Sequence, residues 1–420
     1  MHAWSPERVA QAAGARLVAP APHDGGPRRA VIDSRDVGEG DLFVGLRGDN
    51  DDGGRFAAQA LAAGAWGVLV APQHAEDARC APAGVLLAAD DPLHALQSLA
   101  RDWRRELGAQ TIGITGSTGK TSTKDLLAGM LRPHRRAVAT RENLNTEIGL
   151  PLTILEAPAD TEVLVLEMAM RGEGQIAELV AIAEPDVGVI VSVGPVHLEL
   201  LGSIEAIART KAELLGGLRS GGTAIVPAGE PLLESYRRDD IGWVTFGDGG
   251  DVTDLGDVEV PFESAHMRLN ALAALAAARA IGVEPRGLVD VELSARRGQR
   301  LELANGVIVI NDCYNANPMS MRAALDELAR APGRRVAVLG DMLELGPDEG
   351  RFHEEIGAYA ADHADVIVTV GPLAAAMDGD YAVADAAEAA ALVEELLEPG
   401  DTVLVKGSRG VGLEAVAEAL

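Results

Sequence analysis

The segment Gly113-Ile-Thr-Gly-Ser-Thr-Gly-Lys-Thr121 concentrates the residue types that hold a phosphate. Gly116 and Gly119 let backbone N–H groups close around phosphate oxygens, with Ser117 and Thr118 between them. Lys120 brings a point charge, and the Thr121 hydroxyl can hold Mg²⁺. The common form of such a loop has a glycine five residues before Gly119, where this chain has Ile114. The loop is therefore a variant, to be judged by its flanks. Thr111–Thr115 reads as a strand and Lys120–Leu131 as a helix resting on a sheet, the setting that a phosphate loop needs.

Lysine usage extends the search. Of 36 basic residues only Lys120, Lys124, Lys211 and Lys406 are lysine. A chain that has drifted so far toward arginine keeps lysine where a guanidinium fails, at sites needing a compact ammonium or an amine that can lose its proton. Lys211 lies in a helix-like stretch, Ala208-Arg-Thr-Lys-Ala-Glu213. A buried lysine of lowered pKa can react with CO₂, and the resulting carbamate turns a cation into an anion able to bind Mg²⁺; a helix-surface lysine is the competing account. Lys406-Gly-Ser-Arg409, with Ser408, follows a strand and could hold a phosphate or carboxylate.

Two further groups end strands. Glu167 closes the apolar run from Thr161, where phosphate-loop enzymes put a carboxylate for the metal. His197 follows the run Val187–Val193 by a short turn, a position where a structural histidine is as good an account as a ligand. Asp312-Cys-Tyr-Asn-Ala-Asn-Pro318 closes another strand and opens a helix; Asn317 and Pro318 suit a helix start, which leaves Asp312, Tyr314 and Asn315 to be explained.

The elements that must position these residues follow from pattern. Short runs at Ala30–Ser34, Asp41–Leu46 and Trp66–Val70 with a helix near Arg55–Ala63 form a small α/β unit. The strand Gly84–Ala88 and the helix Leu93–Leu107 then feed the phosphate loop. Continuous apolar strands bounded by turns suit a parallel sheet covered on both faces, whose ligands sit at the carboxyl ends of the strands. Thr223–Val226 and Trp243–Phe246 add strands, and His266–Ile281 is a long alanine-rich helix. The last block repeats the strand–helix rhythm at Val307–Ile310, Arg335–Leu339, Val366–Val370 and Thr402–Val405. It is Rossmann-like, but no Gly-x-Gly-x-x-Gly follows its first strand, which argues against a dinucleotide site. The expected fold class is α/β in three domains: residues 1–82, a small N-terminal α/β domain; 83–297, a central phosphate-loop domain with a mainly parallel sheet; and 298–420, a C-terminal Rossmann-like domain.

Composition bounds the partners. A chain of 420 residues exceeds one compact core. With 3% aromatic residues and a net charge of -28 it lacks both a stacking face and the basic surface that nucleic acid requires. Two distant cysteines indicate neither a disulfide framework nor a metal cluster. No basic-then-apolar leader and no membrane-length apolar run is present, so a cytoplasmic location is expected.

The order of Thr115-Gly-Ser-Thr-Gly-Lys-Thr121, Asn143-Leu-Asn-Thr-Glu-Ile-Gly-Leu-Pro151, Glu167, His197, Lys211, Asp312-x-Tyr-Asn-Ala-Asn-Pro318, Gly340-Asp-Met-Leu-Glu-Leu-Gly346 and Lys406-Gly-Ser-Arg409 resembles the Mur ligase family over nearly the whole chain. The Asp-x-Tyr-Asn-Ala-Asn-Pro and Gly-Asp-Met-x-Glu-Leu-Gly segments resemble the branch that adds D-alanyl-D-alanine to a UDP-N-acetylmuramoyl tripeptide. The resemblance implies ATP and Mg²⁺ as cofactors and Lys120 and Thr121 as their phosphate-loop contacts. It makes Glu167 and His197 metal ligands and Lys211 the carbamylated lysine. Asn143, Asn270, Arg297 and Asp312 match positions near ATP, and Asn315 and Asn317 lie in the region facing the dipeptide. Asp33-Ser-Arg35, hence Ser34 and Arg35, resembles the part that holds the UDP end. Where the family often has Asn directly after the histidine at 266, this chain has Met267. A monomer without nucleic-acid or membrane partners is expected. A sister ligase adding one amino acid, a phosphate-loop ATPase or GTPase switch, and a non-enzymatic nucleotide-sugar binder are the competing functions.

Overall fold

The computed structural model describes every residue except 2, 20–24, 49–50, 81–83, 263, 293 and 295. Three α/β units follow one another, each built on its own sheet, and a two-stranded ladder pairs Val258–Glu259 with Gly287–Leu288.

The first sheet runs in space Arg16–Ala19, Val85–Ala88, Gly67–Val70, Leu42–Val44, Ala30–Val31, parallel except for the antiparallel edge Arg16–Ala19. The sequence pattern puts a domain boundary after residue 82. The boundary itself falls in 81–83, outside the described residues, but the strand beyond it, Val85–Ala88, pairs with Gly67–Val70 and completes the first sheet. Helix Pro92–Leu107 follows, started by Asp91, whose side chain accepts from the His94 N–H, with Pro92 at its first turn, and stopped by the left-handed Gly108. Its apolar face lies between the first two units. Trp103 packs edge-on against Trp4 at 5.4 Å and donates from Nε1 to the Ala157 carbonyl at 3.1 Å. One apolar core therefore runs continuously from Leu42, Leu69 and Leu87 through Leu96 and Leu99 to Leu150 and Leu164.

The central sheet is parallel throughout, in the order Gly242–Phe246, Thr223–Pro227, Val187–Ile190, Gln110–Thr115, Val163–Glu167, Ala137–Ala139. Gln110–Thr115 sits between the strands that lead to His197 and end at Glu167, so the crossovers on either side of it part at its carboxyl end. That crevice is where such sheets bind ligands. Helix Lys120–Leu131 packs on helix Ala265–Ala280, whose Ala271, Ala273, Ala274, Ala277 and Ala278 are fully buried. Small side chains let the two helices approach closely in a chain poor in aromatics.

The third sheet has the order Gln299–Glu302, Ile308–Asn311, Thr402–Lys406, Arg335–Gly340, Val366–Val370, Tyr381–Val383. The four strands expected from the sequence form its parallel centre; Tyr381–Val383 extends it in parallel and Gln299–Glu302 caps the other edge antiparallel. Both additions are edge strands that are largely exposed, so they carry no apolar run. Among the described residues no helix is long and apolar enough to cross a membrane.

Candidate active site

The phosphate loop is shaped by its neighbours. Gly119 has φ +79°, and a Cβ there would lie 2.4 Å from Asn270 Oδ1, so only glycine fits between the loop and helix Ala265–Ala280. Ser117 and Thr118 are tied to the next strand end: Ser117 N–H donates to the Ser192 carbonyl at 2.9 Å, its hydroxyl to the Gly194 carbonyl at 2.9 Å, and Thr118 N–H to Ser192 Oγ at 2.9 Å. The N–H groups of the first turn of helix Lys120–Leu131 have no carbonyl one turn back and remain for a ligand. Lys120 Nζ donates to the Gly116 carbonyl at 2.7 Å, folded over its own loop.

Glu167 is fully buried at the end of its strand and takes two donors: the Thr121 hydroxyl on Oε2 at 2.8 Å and Asn145 Nδ2 on Oε1 at 2.8 Å. A hydroxyl and a carboxylate side by side at a helix N-terminus present hard oxygen donors suited to Mg²⁺. Among the described residues no group of three or more His, Cys, Asp or Glu could hold a metal. Mg²⁺ bound together with substrate phosphates needs only one or two protein carboxylates. His197 reaches the cavity from the other side, its Nδ1 bonded to Glu344 of the third unit.

Lys211 is fully buried and, among the described residues, has neither an ion pair nor a hydrogen bond to its ammonium. Burial, and then the charge of Lys120, push its pKa well below the usual lysine value. Burial also lowers Lys120, with Glu167 opposing and Arg297 adding to the shift. His197 is lowered by burial against the pull of Glu344, and by Lys120 and Lys211. These residues form one electrostatic neighbourhood, in which burial and mutual repulsion disfavour the charged forms of Lys120, Lys211 and His197.

Opposite the phosphate loop stand the carboxyl-end loops of the third sheet. Lys406, ending strand Thr402–Lys406, is buried and donates to Asp312 Oδ2 at 2.5 Å and to the Asn315 carbonyl at 3.1 Å. Ser408 Oγ accepts the Leu343 N–H at 3.0 Å. Asn317 caps helix Pro318–Leu328, its Oδ1 accepting from the Ser320 N–H at 3.0 Å, so half of its amide is committed to the helix. Two guanidiniums lie over the Tyr314 ring, Arg297 at 4.0 Å and Arg409 at 5.7 Å from its centroid. Together the two walls enclose a cavity of about 1020 Å³.

The fold thus brings Ser117, Thr118, Gly119, Lys120, Thr121, Asn143, Glu167, His197, Asn270, Arg297, Asp312, Asn315, Asn317, Lys406 and Ser408 to one cavity. Lys211 is not among the lining residues, although its charge is felt by His197 and it feels that of Lys120. Ser34 and Arg35 are not part of it: Arg35 is an exposed side chain paired with Asp33 at 2.5 Å, and holds that carboxyl down at about 2. Sequence reasoning passed over Asn145, two residues beyond Asn143 in a segment it had singled out, and Glu344, inside Gly340–Gly346. It also missed His266 and Arg171, which line the cavity. Met267 is buried within 3.8 Å of Asn270 Nδ2, so at that position the chain meets its own helix with a thioether.

Residues 30–104, 114–260 and 296–409 match in turn the Mur ligase family catalytic domain, the Mur ligase middle domain and the Mur ligase glutamate ligase domain. The chain is 35% identical to the UDP-N-acetylmuramoyl-tripeptide–D-alanyl-D-alanine ligase of Bacillus subtilis, covering 93% of this chain and 92% of that one. It is 39% identical to that of Synechocystis, covering 92% and 90%. Its fold superposes on MurF from Acinetobacter baumannii with a TM-score of 0.89 at 30% identity, covering 99% of this chain and 98% of the other. For the MurF ligase of Thermotoga maritima in complex with ADP the TM-score is 0.81 at 31% identity, covering 93% and 96%. Three matched domains in family order, relatives of this identity along almost the full length, and a phosphate loop facing the loops of a third sheet establish that the chain belongs to the Mur ligase family.

Proposed function

We propose that the chain is an ATP-dependent, ADP-forming ligase that joins D-alanyl-D-alanine to a UDP-N-acetylmuramoyl tripeptide in peptidoglycan precursor synthesis. The observation that carries this reading is the cavity of about 1020 Å³ with a phosphate loop on one wall and the Lys406–Asp312 loops on the other. A nucleotide and an acceptor can meet there without leaving the protein.

The chemistry asks for neutralised charge and alignment more than for a protein nucleophile. The terminal carboxylate of the tripeptide attacks the γ-phosphorus of ATP, the bond to ADP breaks, and an acyl phosphate forms. The amine of the dipeptide then attacks the acyl carbon, phosphate leaves, and the amine gives up a proton. Lys120 and the first-turn N–H groups receive the phosphates, with Gly116–Thr121 as their cradle. Asn143, Asn270, Arg297 and Asp312 lie toward the nucleotide; Asn315, Asn317, Lys406 and Ser408 lie toward the dipeptide; Ser34 and Arg35 belong to the UDP end. Thr121, Glu167 and His197 would hold Mg²⁺, which when bound offsets the charge of the transferring phosphoryl group. Lys211, buried with no anion paired to it among the described residues and with its pKa lowered, is suited to react with CO₂, and its carbamate would add an anion to the ligand set.

The test is ADP release from ATP with UDP-N-acetylmuramoyl tripeptide, with and without D-alanyl-D-alanine and against single amino acids. Turnover that needs the dipeptide is expected. Turnover with a single amino acid instead would make the chain a sister ligase, and ADP release indifferent to both small substrates would make it an ATPase switch.

A further inference from the structure

Glu344 lies in the third unit, inside Gly340-Asp-Met-Leu-Glu-Leu-Gly346, yet its side chain is spent on the second. Its Oε2 pairs with His197 Nδ1, its Oε1 lies 3.6 Å from Arg171 Nη2, and its carbonyl accepts the Glu199 N–H at 3.3 Å. Gly346, two residues on, is pressed against Glu199: a Cβ there would stand 3.2 Å from its Cα. The two partners share a further feature. His197 has φ 54° and Glu344 φ 64°, both left-handed, a conformation that side chains with a Cβ seldom adopt. Strained backbone on both sides of one contact marks a place where the surroundings hold a side chain in a set direction.

The chemistry of the pair is directional. A carboxylate only accepts, so the proton between the two sits on Nδ1, and of the two neutral tautomers the contact selects the one whose lone pair is on Nε2. Among the described residues Nε2 has no hydrogen-bond partner, and His197 lines the cavity. We propose that Glu344 is a positioning residue that fixes the tautomer and direction of His197 only while the third unit is seated on the second, so that one contact reports docking to the phosphate site. The proposal rests on the reading of His197 as a cavity-facing ligand. Its first measurement, made without nucleotide, does not depend on which substrates the ligase takes.

The ring nitrogens of His197 are followed by NMR in the ¹⁵N-histidine-labelled full chain at neutral pH, with His197→Gln assigning the signals. The wild type is expected to show the Nδ1–H form. Glu344→Ala, a change in a half-exposed loop, is expected to shift His197 toward the Nε2–H form that free imidazole side chains favour. In the ligase assay Glu344→Ala should lower kcat by about 10- to 100-fold, the range seen when a residue orienting a ligand is removed. Adding it to His197→Gln should cost little more, because the two act as one unit. Unchanged His197 nitrogen shifts in Glu344→Ala, or losses that multiply in the double variant, would overturn the proposal.

Discussion

At the scale of single residues, the four lysines are the chain's most economical message. Three are almost fully buried and the fourth is folded over its own loop, as expected of lysines kept where a compact ammonium or a deprotonatable amine is wanted. Lys211 is the extreme case, an amine with no anion paired to it among the described residues, in a place where the ammonium form is penalised by burial. Lys211→Arg is expected to lower kcat by about 100-fold or more, the scale for losing a charge aimed at the reacting centre, although the formal charge is kept. Wild-type enzyme equilibrated with ¹³C-bicarbonate should show a carbamate carbon resonance that Lys211→Arg lacks. A fully active arginine variant would remove the carbamate from the account. Residue types were thus readable without coordinates, whereas their partners were not. Glu344 is 147 positions from His197, and nothing in either local pattern points to the other.

At the scale of elements, parallel strands were legible because burial on both faces writes them as unbroken apolar runs. The helix start Asn317-Pro318 was legible because orphan N–H groups demand such residues. The exposed edge strands were not, having no face to bury. Lys124, the one lysine without a chemical role, shows how elements are held to one another. From within helix Lys120–Leu131 its Nζ reaches the Thr140 carbonyl at 2.8 Å, Asp125 at 2.9 Å and the Ser294 hydroxyl at 3.3 Å, while Asp125 accepts the Ser294 N–H at 2.9 Å. The helix behind the phosphate loop is thereby fastened to the segment leading into the third unit. Lys124→Met would leave Asp125 buried without its cation, a loss of about 3–5 kcal/mol for pairs of this kind. A markedly lower thermal midpoint in calorimetry is expected, and an unchanged midpoint would show the fastening to be idle.

At the scale of the molecule, the first two units share one continuous core around helix Pro92–Leu107, whereas the apolar clusters of the third contain only its own residues. Calorimetry should therefore resolve two unfolding transitions, one for the first and second units together and one for the third. A separate transition for the first unit would contradict the shared core. The expected boundary after residue 82 precedes strand Val85–Ala88, which pairs into the first sheet, because a strand's place is decided by its hydrogen-bonded neighbours and not by the loop before it. By itself, the sequence determined the phosphate loop, the parallel α/β architecture and the family, since each is written in residues close together in the chain, where glycine conformation, capping and apolar periodicity act. Only the tertiary structure decided that Asn145 and Thr121 share Glu167, that Lys211 is buried near Lys120 with no counter-ion among the described residues, and that Glu344 crosses to His197. Those are consequences of burial and charge between segments far apart in sequence, and such terms take values only once the chain has been brought together.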